Sequence, residues 1–145
     1  MTEFVQANHM LTVETGGKGF YEITNDVAHW LDTLGADAGL LTVFVCHTSA
    51  SLVIQENADP NVRLDLLVAL DAFAPEDLPY AHQEEGADDM PSHIKSMLTS
   101  VSIGIPVTDG SMVLGAWQGV YLIEHRALAH RRNVALSFVG HSAQA

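Results

Sequence analysis

The sequence predicts a single α+β domain over residues 1–145, a mostly antiparallel sheet with about three helices. Three observations predict it. The chain has 145 residues, 48% of them apolar, which suits one domain with a full core and is too apolar for a disordered chain. Short β-branched or alternating apolar runs, bounded by Gly, Pro, Asn or Asp, recur along its length. Among them lie three segments that carry helix starts or helical spacing. There is no internal repeat, low-complexity segment or linker.

Phe4 to Glu14 reads as the first strand. Gly16-Gly17-Lys18-Gly19 has neither the Walker spacing nor the dinucleotide fingerprint. It reads as a hairpin turn, with Phe20 to Ile23 pairing back as a short second strand. Thr24 or Asn25 caps a helix to about Leu34, with Val27, Trp30, Leu31 and Leu34 on one face, His29 solvated and Gly35 closing it. Gly39 to His47 is apolar and β-branched, hence a central strand, and Ala50 to Gln55 makes another.

Asp59 caps the second helix and Pro60 takes its first position. Val62, Leu66, Leu67 and Leu70 supply its inner face, and Pro75 lies beyond its end. Residues 75–88 form a long acidic loop, of a length often functional in compact domains. A third helix covers about Pro91 to Thr99. The remainder reads as a meander: Ser102 to Val107, the turn Thr108-Asp109-Gly110, Ser111 to Ala116, Trp117 to His125 and Asn133 to Gly140.

Net charge is −12, with six Lys plus Arg. Such a surface repels phosphate backbones and anionic membranes, so neither is an expected partner. The acidity is spread along the chain and serves solubility. The one cysteine, Cys46, lies in an apolar run, so it reads as a buried structural thiol with no intramolecular disulfide. The first residues lack the pattern of a signal peptide, and no apolar stretch reaches the roughly 18 residues a span needs. A cytoplasmic location is expected.

The stretch from His82 to Lys95 is the richest in chemistry. Two histidines, His82 and His93, bracket Asp88 and Asp89. Imidazole and carboxylate are ligands that Zn, Mn or Fe accept. His47, at the end of the central strand, is a third candidate ligand. If the helix begins at Asp89, its side chain shares a face with that of His93. The alternative is a set of separate surface histidines, since no His-x-x-x-His or Cys pair is present.

Glu56 and Asn57 follow a strand end, where a carboxylate suits a general base and Asn57 a substrate contact. Turn-building is the other reading of Asn57. The Gly115-Ala116-Trp117-Gln118-Gly119 segment lets a ligand approach closely. Trp117 is then core or the wall of an aromatic pocket, and Gln118 a reader of a ring edge. Glu124-His125-Arg126 and His130-Arg131-Arg132 gather half of the scarce positive charge. They suit either an anionic ligand or a charged hairpin tip.

His47-Thr48-Ser49-Ala50, Glu56-Asn57-x-Asp59-Pro60 and Gly86-x-Asp88-Asp89-Met90-Pro91-x-His93-Ile94-Lys95 resemble the YjbQ family. So does Ser102-x-x-Ile105-x-Val107-x-x-Gly110-x4-Gly115-Ala116-Trp117-Gln118-x-Val120, and the resemblance covers nearly the whole chain. One departure is Ala116, where that motif usually has Thr. The resemblance implies a compact α+β fold assembled as a homotrimer, and secondary thiamine-phosphate synthase activity. It places the family's histidines on His47, His82 and His93, its acidic position on Glu56, its Trp-Gln on Trp117 and Gln118, and its late Glu and Arg on Glu124 and Arg126.

The expected function is thus a metal-assisted enzyme, Zn-dependent, acting on a small phosphorylated or heteroaromatic metabolite. In the thiamine-phosphate version a pyrimidine diphosphate loses diphosphate as a thiazole nitrogen attacks. The metal and Arg126 would neutralise the leaving group, Trp117 would stack on the pyrimidine, and Gln118, Asn57 and Glu124 would bind substrate. Histidine-rich sites suit Zn better than the Mg common with diphosphates. A metal-dependent hydrolase with Glu56 as base fits equally. A non-catalytic oligomeric metal- or metabolite-binding protein is the third expectation.

Overall fold

The computed structural model describes residues 2–143. The elements follow as β1 (Thr2–Glu14), β2 (Gly19–Glu22), α1 (Thr24–Leu34), β3 (Ala36–Val45), β4 (Ala50–Glu56), α2 (Pro60–Phe73), α3 (Asp89–Leu98), β5 (Ser102–Thr108), β6 (Ser111–Met112), β7 (Gln118–Glu124) and β8 (Arg131–Ala143). This is the expected α+β domain with three helices. Its strands form two sheets, one ordered β1-β8-β3-β5-β6 and the other β2-β7-β4. Every pairing between these strands is antiparallel.

The expected hairpin at Gly16–Gly19 does not form. β2 pairs with β7 instead, Gly19 opposite Glu124. The expected meander also gives way: β7 leaves for the smaller sheet, while β8 inserts between β1 and β3. Only Ser111 and Met112 of the predicted Ser111–Ala116 strand pair back on β5. The turn before them has the expected chemistry, with Asp109 at φ 51° and Gly110 at φ 79°, the left-handed pair of a tight hairpin.

The core lies between the two sheets and α1. Val27, Trp30 and Leu31 of α1 pack with Leu41, Val43 and Val45 of β3, Leu136 and Phe138 of β8, and Leu52, Val120 and Leu122 of the smaller sheet. Each such buried side chain contributes about 1.5–3 kcal/mol. β7 is buried from Gly119 to Glu124, as its near-continuous apolar sequence requires. Gly39 and Gly140 face each other across β3 and β8. A Cβ on either would sit 2.3 Å from a carbonyl oxygen of the opposite strand, so these strands close only on glycine.

Local signals fare unevenly. Asp59 accepts from the Asn61 N–H and Pro60 opens α2, as expected. Gly35 closes α1, but the residue before that helix is Ile23 and no side chain caps it. Thr24 instead accepts from the Val120 N–H and tethers α1 to β7. Val62, Leu66, Leu67 and Leu70 are only half-buried, because α2 lies on the outside of the molecule. Cys46 is exposed, not buried, since it falls just beyond β3.

Candidate metal centre

α3 begins at Asp89, so Asp89 and His93 stand one turn apart on the same face. Pro91 in the first turn costs no hydrogen bond there, because the first N–H groups of a helix have no internal partner. Asp89 is 2% exposed. Its Oδ2 lies 2.6 Å from His82 Nε2 and 3.0 Å from His93 Nε2. Glu85 Oε2 is 3.3 Å from His82 Nε2. One ligand atom from each of His82, Glu85, Asp89 and His93 lies within 4.8 Å of the rest.

His93 Nδ1 lies 2.8 Å from the Thr48 carbonyl oxygen. A carbonyl only accepts, so Nδ1 carries a proton. In the neutral ring, Nε2 then turns a lone pair toward Asp89 Oδ2, and the pair needs a cation between them, either a proton or a metal ion. Backbone ties of this kind are how metal-binding imidazoles are oriented. A tetrahedral Zn with ligands at about 2.0–2.1 Å separates them by roughly 3.4 Å. The 3.0 and 3.3 Å pairs lie close to that spacing, and the 2.6 Å pair opens by a small side-chain movement. The donor set and its geometry therefore fit a borderline cation.

Arg126 braces this cluster. Its Nη1 donates to Asp89 Oδ1 at 2.6 Å, its Nε to Asp88 Oδ2 at 3.1 Å and its Nη2 to the Glu85 carbonyl at 2.8 Å. Asp88 Oδ2 also accepts from the Ala127 N–H. Burial pushes the Asp88 carboxyl up, but the Ala127 N–H and Arg126 outweigh it and hold it below the usual range. Burial likewise raises Asp89, and the His82 hydrogen bond with the His93 and Arg126 charges brings it lower. The Asp89 hydrogen bond raises His82, against its desolvation.

The structure thus gathers His82, Asp89, His93 and Arg126, gives Asp88, His47 and Glu124 other partners at the edge of this group, and places Glu56, Asn57, Trp117 and Gln118 away from it. Asp88 is a correction: its Oδ2 is taken by Arg126 and Ala127, so it fastens the loop to the chain after β7 and lies outside the ligand group. His47 is a second. Its Nε2 accepts from the Asn133 N–H at 2.8 Å, so it ties the end of β3 to β8. It shares only a surface pocket with His93. Glu124, expected to bind substrate, is fully buried and holds Arg132, whose Nε donates to its Oε1 at 2.8 Å, together with the Thr15 hydroxyl.

Glu56, Asn57, Trp117 and Gln118 form a separate group at the far end of the smaller sheet. Glu56 pairs with Gln118, whereas Ala50, beside the histidine cluster, pairs with Glu124. Six strand residues separate these ends, about 20 Å. Glu56 accepts from the Asp59 N–H, and the Asn57 N–H donates to the Trp117 carbonyl. Trp117 is 67% exposed, a surface side chain and not core. The Gln118 side-chain Oε1 accepts from the Gly115 N–H and closes the turn. The expected basic cluster is neutralised internally: Arg131 meets Glu14, Arg132 meets Glu124, and Arg126 meets the two aspartates.

Sequence reasoning overlooked Glu85 as a ligand candidate, although its spacing of three from His82 and four from Asp89 matches a loop feeding a helix. His125, expected only as part of the basic cluster, and Lys95, expected only as part of the Gly86–Lys95 motif, are both buried. Neither sits in a motif that announces burial.

Known proteins align with nearly the whole chain. The family model for UPF0047 protein YjbQ-like matches residues 9–141. The UPF0047 protein sll1880 of Synechocystis is 46% identical over 138 residues, covering 94% of each chain. UPF0047 protein YjbQ of Salmonella typhimurium is 41% identical, over 90% of this chain and 95% of its own. Among solved structures, the conserved hypothetical protein TT1486 of Thermus thermophilus is 37% identical with a TM-score of 0.78, over 88% of this chain and 97% of its own. With the motifs, the fold and the relatives in agreement, the chain belongs to the YjbQ-like UPF0047 family.

Proposed function

We propose that this protein is a metal-dependent enzyme acting on a small metabolite, with Zn held by His82, Asp89 and His93 and with Glu85 as the exchangeable fourth ligand. The observation that carries this reading is the opposition of His93 Nε2 and Asp89 Oδ2 at 3.0 Å while Nδ1 is committed to Thr48. When bound, such an ion supplies Lewis-acid neutralisation of a departing oxyanion or acidifies a water. Glu85 and His82 are exposed, and His82 lines a surface cleft together with Tyr80 and Gln83. That leaves the site open to substrate, as catalytic centres require and closed structural sites do not.

In the hydrolase version, Glu85 takes the proton-accepting role first assigned to Glu56, which is out of reach. In the thiamine-phosphate version implied by the family resemblance, a cation held by His82, Asp89 and His93 would supply the charge that offsets the departing diphosphate. Arg126 then acts by holding Asp89 and Glu85 in place, since its own donors are engaged. Trp117 and Gln118 contribute to either reaction only from a neighbouring copy. A homotrimer suits the outer face of the larger sheet, where Phe4, Met10, Leu40, Phe44 and Val139 are 42–65% exposed. The outward positions of β1 from Phe4 to Thr12, β8 from Asn133 to His141 and β3 from Leu40 to Phe44 include no charged residue. Among the described residues no helix is long and apolar enough to cross a membrane. A cytoplasmic, reducing setting suits the exposed Cys46.

The test is metal content per subunit of untagged protein, with His82→Ala and His93→Ala beside the parent. Near-stoichiometric Zn in the parent and its loss in both folded variants is expected. A parent that stays metal-free after reconstitution would sink the metal reading.

A further inference from the structure

The sequence contains two lysines, Lys18 and Lys95. Both line one pocket of about 130 Å³ between α2, α3 and the end of β7. Lys18 comes from the loop before β2 and Lys95 from α3, so the fold itself brings them together. Lys95 is nearly buried, its side chain 4% exposed, yet its anionic partner Asp71 sits on α2 at 57% exposure. Asp71 Oδ1 lies 2.6 Å from Lys95 Nζ and 3.8 Å from Lys18 Nζ. One carboxylate oxygen therefore occupies an oxyanion position between two ammonium groups, held there by a side chain free to swing into solvent.

Lys18 Nζ also donates to Glu76 Oε1 at 3.3 Å, so this half-exposed carboxylate swings aside together with Asp71 when an anion enters. Glu124 is spent on Arg132 and Thr15. His125 forms the floor, with Nε2 2.8 Å from the Ser51 hydroxyl, and burial keeps it neutral. Leu67 and Leu70 of α2 give an apolar wall. In a chain of net charge −12, paired ammonium groups at a pocket mark where a small anion gains most. Lysine acts on phosphate as a point charge, which two such groups supply from two sides.

We propose that this pocket seats the phosphate group of a small phosphorylated metabolite, which displaces Asp71 and binds between Lys18 and Lys95. This deepens the reading above, because it locates the anionic end of the substrate. Lys18 and Asp71 also line an adjoining cleft with Glu76, and Glu76 in turn lines the cleft beside His82. A metabolite anchored at the lysines can thus extend along the 74–88 loop toward the histidine cluster.

The experiment is calorimetric titration of inorganic phosphate into metal-stripped protein, which separates this proposal from the metal reading. The parent should bind phosphate saturably. Lys18→Met, a change at an exposed position that leaves folding intact, should weaken binding at least tenfold. Asp71→Asn should tighten it several-fold by releasing Lys95 and removing one of the two carboxylates beside Lys18, whereas Asp26→Asn, the same charge change on α1, should alter it less than twofold. Binding that is indifferent to Lys18→Met overturns the proposal, as does an Asp71→Asn variant that binds no better than the parent. So does phosphate affinity that disappears in His82→Ala while surviving Lys18→Met.

Discussion

Arg126 and Asp89 divide the work of one carboxylate: Nη1 of Arg126 holds Oδ1 at 2.6 Å, which leaves Oδ2 aimed between His82 and His93. The guanidinium therefore sets the direction of the ligand oxygen without touching the space where a cation would sit. Arg126→Met should lower stability by about 2 kcal/mol, less than the ~3–5 kcal/mol for breaking a fully buried pair, because Arg126 retains some solvent. It should also weaken metal binding about 10–100-fold, the usual cost of losing a group that orients a ligand. Arg126→Lys keeps the charge but loses the fork and should fall between. Urea unfolding and Zn titration measure both effects. Unchanged Zn affinity in Arg126→Met would show that Asp89 needs no brace.

His125 predicts an acid-sensitive stability. Burial, and after it the Lys95 charge, lowers its pKa from 6.5 to about 4. As pH falls, the unfolded chain therefore takes up this proton before the folded one does. Stability should drop between pH 6.5 and 4 by about 3 kcal/mol from this group, and this contribution should level off below pH 4. The depressed carboxylates Asp71, Asp88, Asp89 and Glu124 lose their contributions at lower pH still. Urea midpoints at pH 7 and 5 should separate in the parent and converge in His125→Gln. Equal pH slopes in the two proteins would refute the assignment.

The Glu124–Arg132 pair is the most buried ion pair among the described residues, and Thr15 and Ser49 complete its hydrogen bonding. Arg132→Met should destabilise by about 3–5 kcal/mol, since it strands a carboxylate with no access to water. Restoring neutrality with Glu124→Gln in the same chain should recover part of that loss. Thermal melts of the single and double variants decide it. Additive losses would mean that the two residues do not act as a pair.

Phe44 lies on the uncharged outer face of the larger sheet, opposite Ala135 of β8. If copies join there, Phe44→Glu should reduce a trimer to monomers while leaving the circular dichroism of the fold intact, because the side chain is outside the core. Sedimentation velocity reads the outcome directly. A trimer that survives the substitution must be built through another surface.

Elements with strong local chemistry were legible in the sequence. The apolar stripe of α1, the β-branched run of β3, Asp59-Pro60 at the start of α2 and Asp109-Gly110 between β5 and β6 each specify a conformation within a few residues. Strand partners were not, because pairing depends on segments far apart in sequence. The glycines before β2 look like a hairpin turn, yet β2 finds β7 across a hundred residues. The candidate site divides along the same line. The four-residue spacing of Asp89 and His93 is a helical signal and put both on one face. His47 follows strand β3 by two residues, where a ligand could sit, but its direction is set by the Asn133 N–H on a distant strand. Glu56 is near His47 in sequence and at the opposite end of a strand in space.

The place of β8 between β1 and β3 also governs the order of events in folding. Among the described residues β1 pairs with no strand except β8, and even their nearest paired residues, Glu14 and Arg131, lie 117 positions apart in sequence. No local hairpin can nucleate the larger sheet from that side. β1 must wait unpaired until β8 has docked, and the entropy of closing so long a segment is met before any reward arrives. Refolding should therefore run on the slow side for a chain of this length, with β3 and β5 assembling first and β1 zipping on last. Until then the apolar residues of β1 are an open edge, which makes the late-folding ensemble the stage most prone to aggregation.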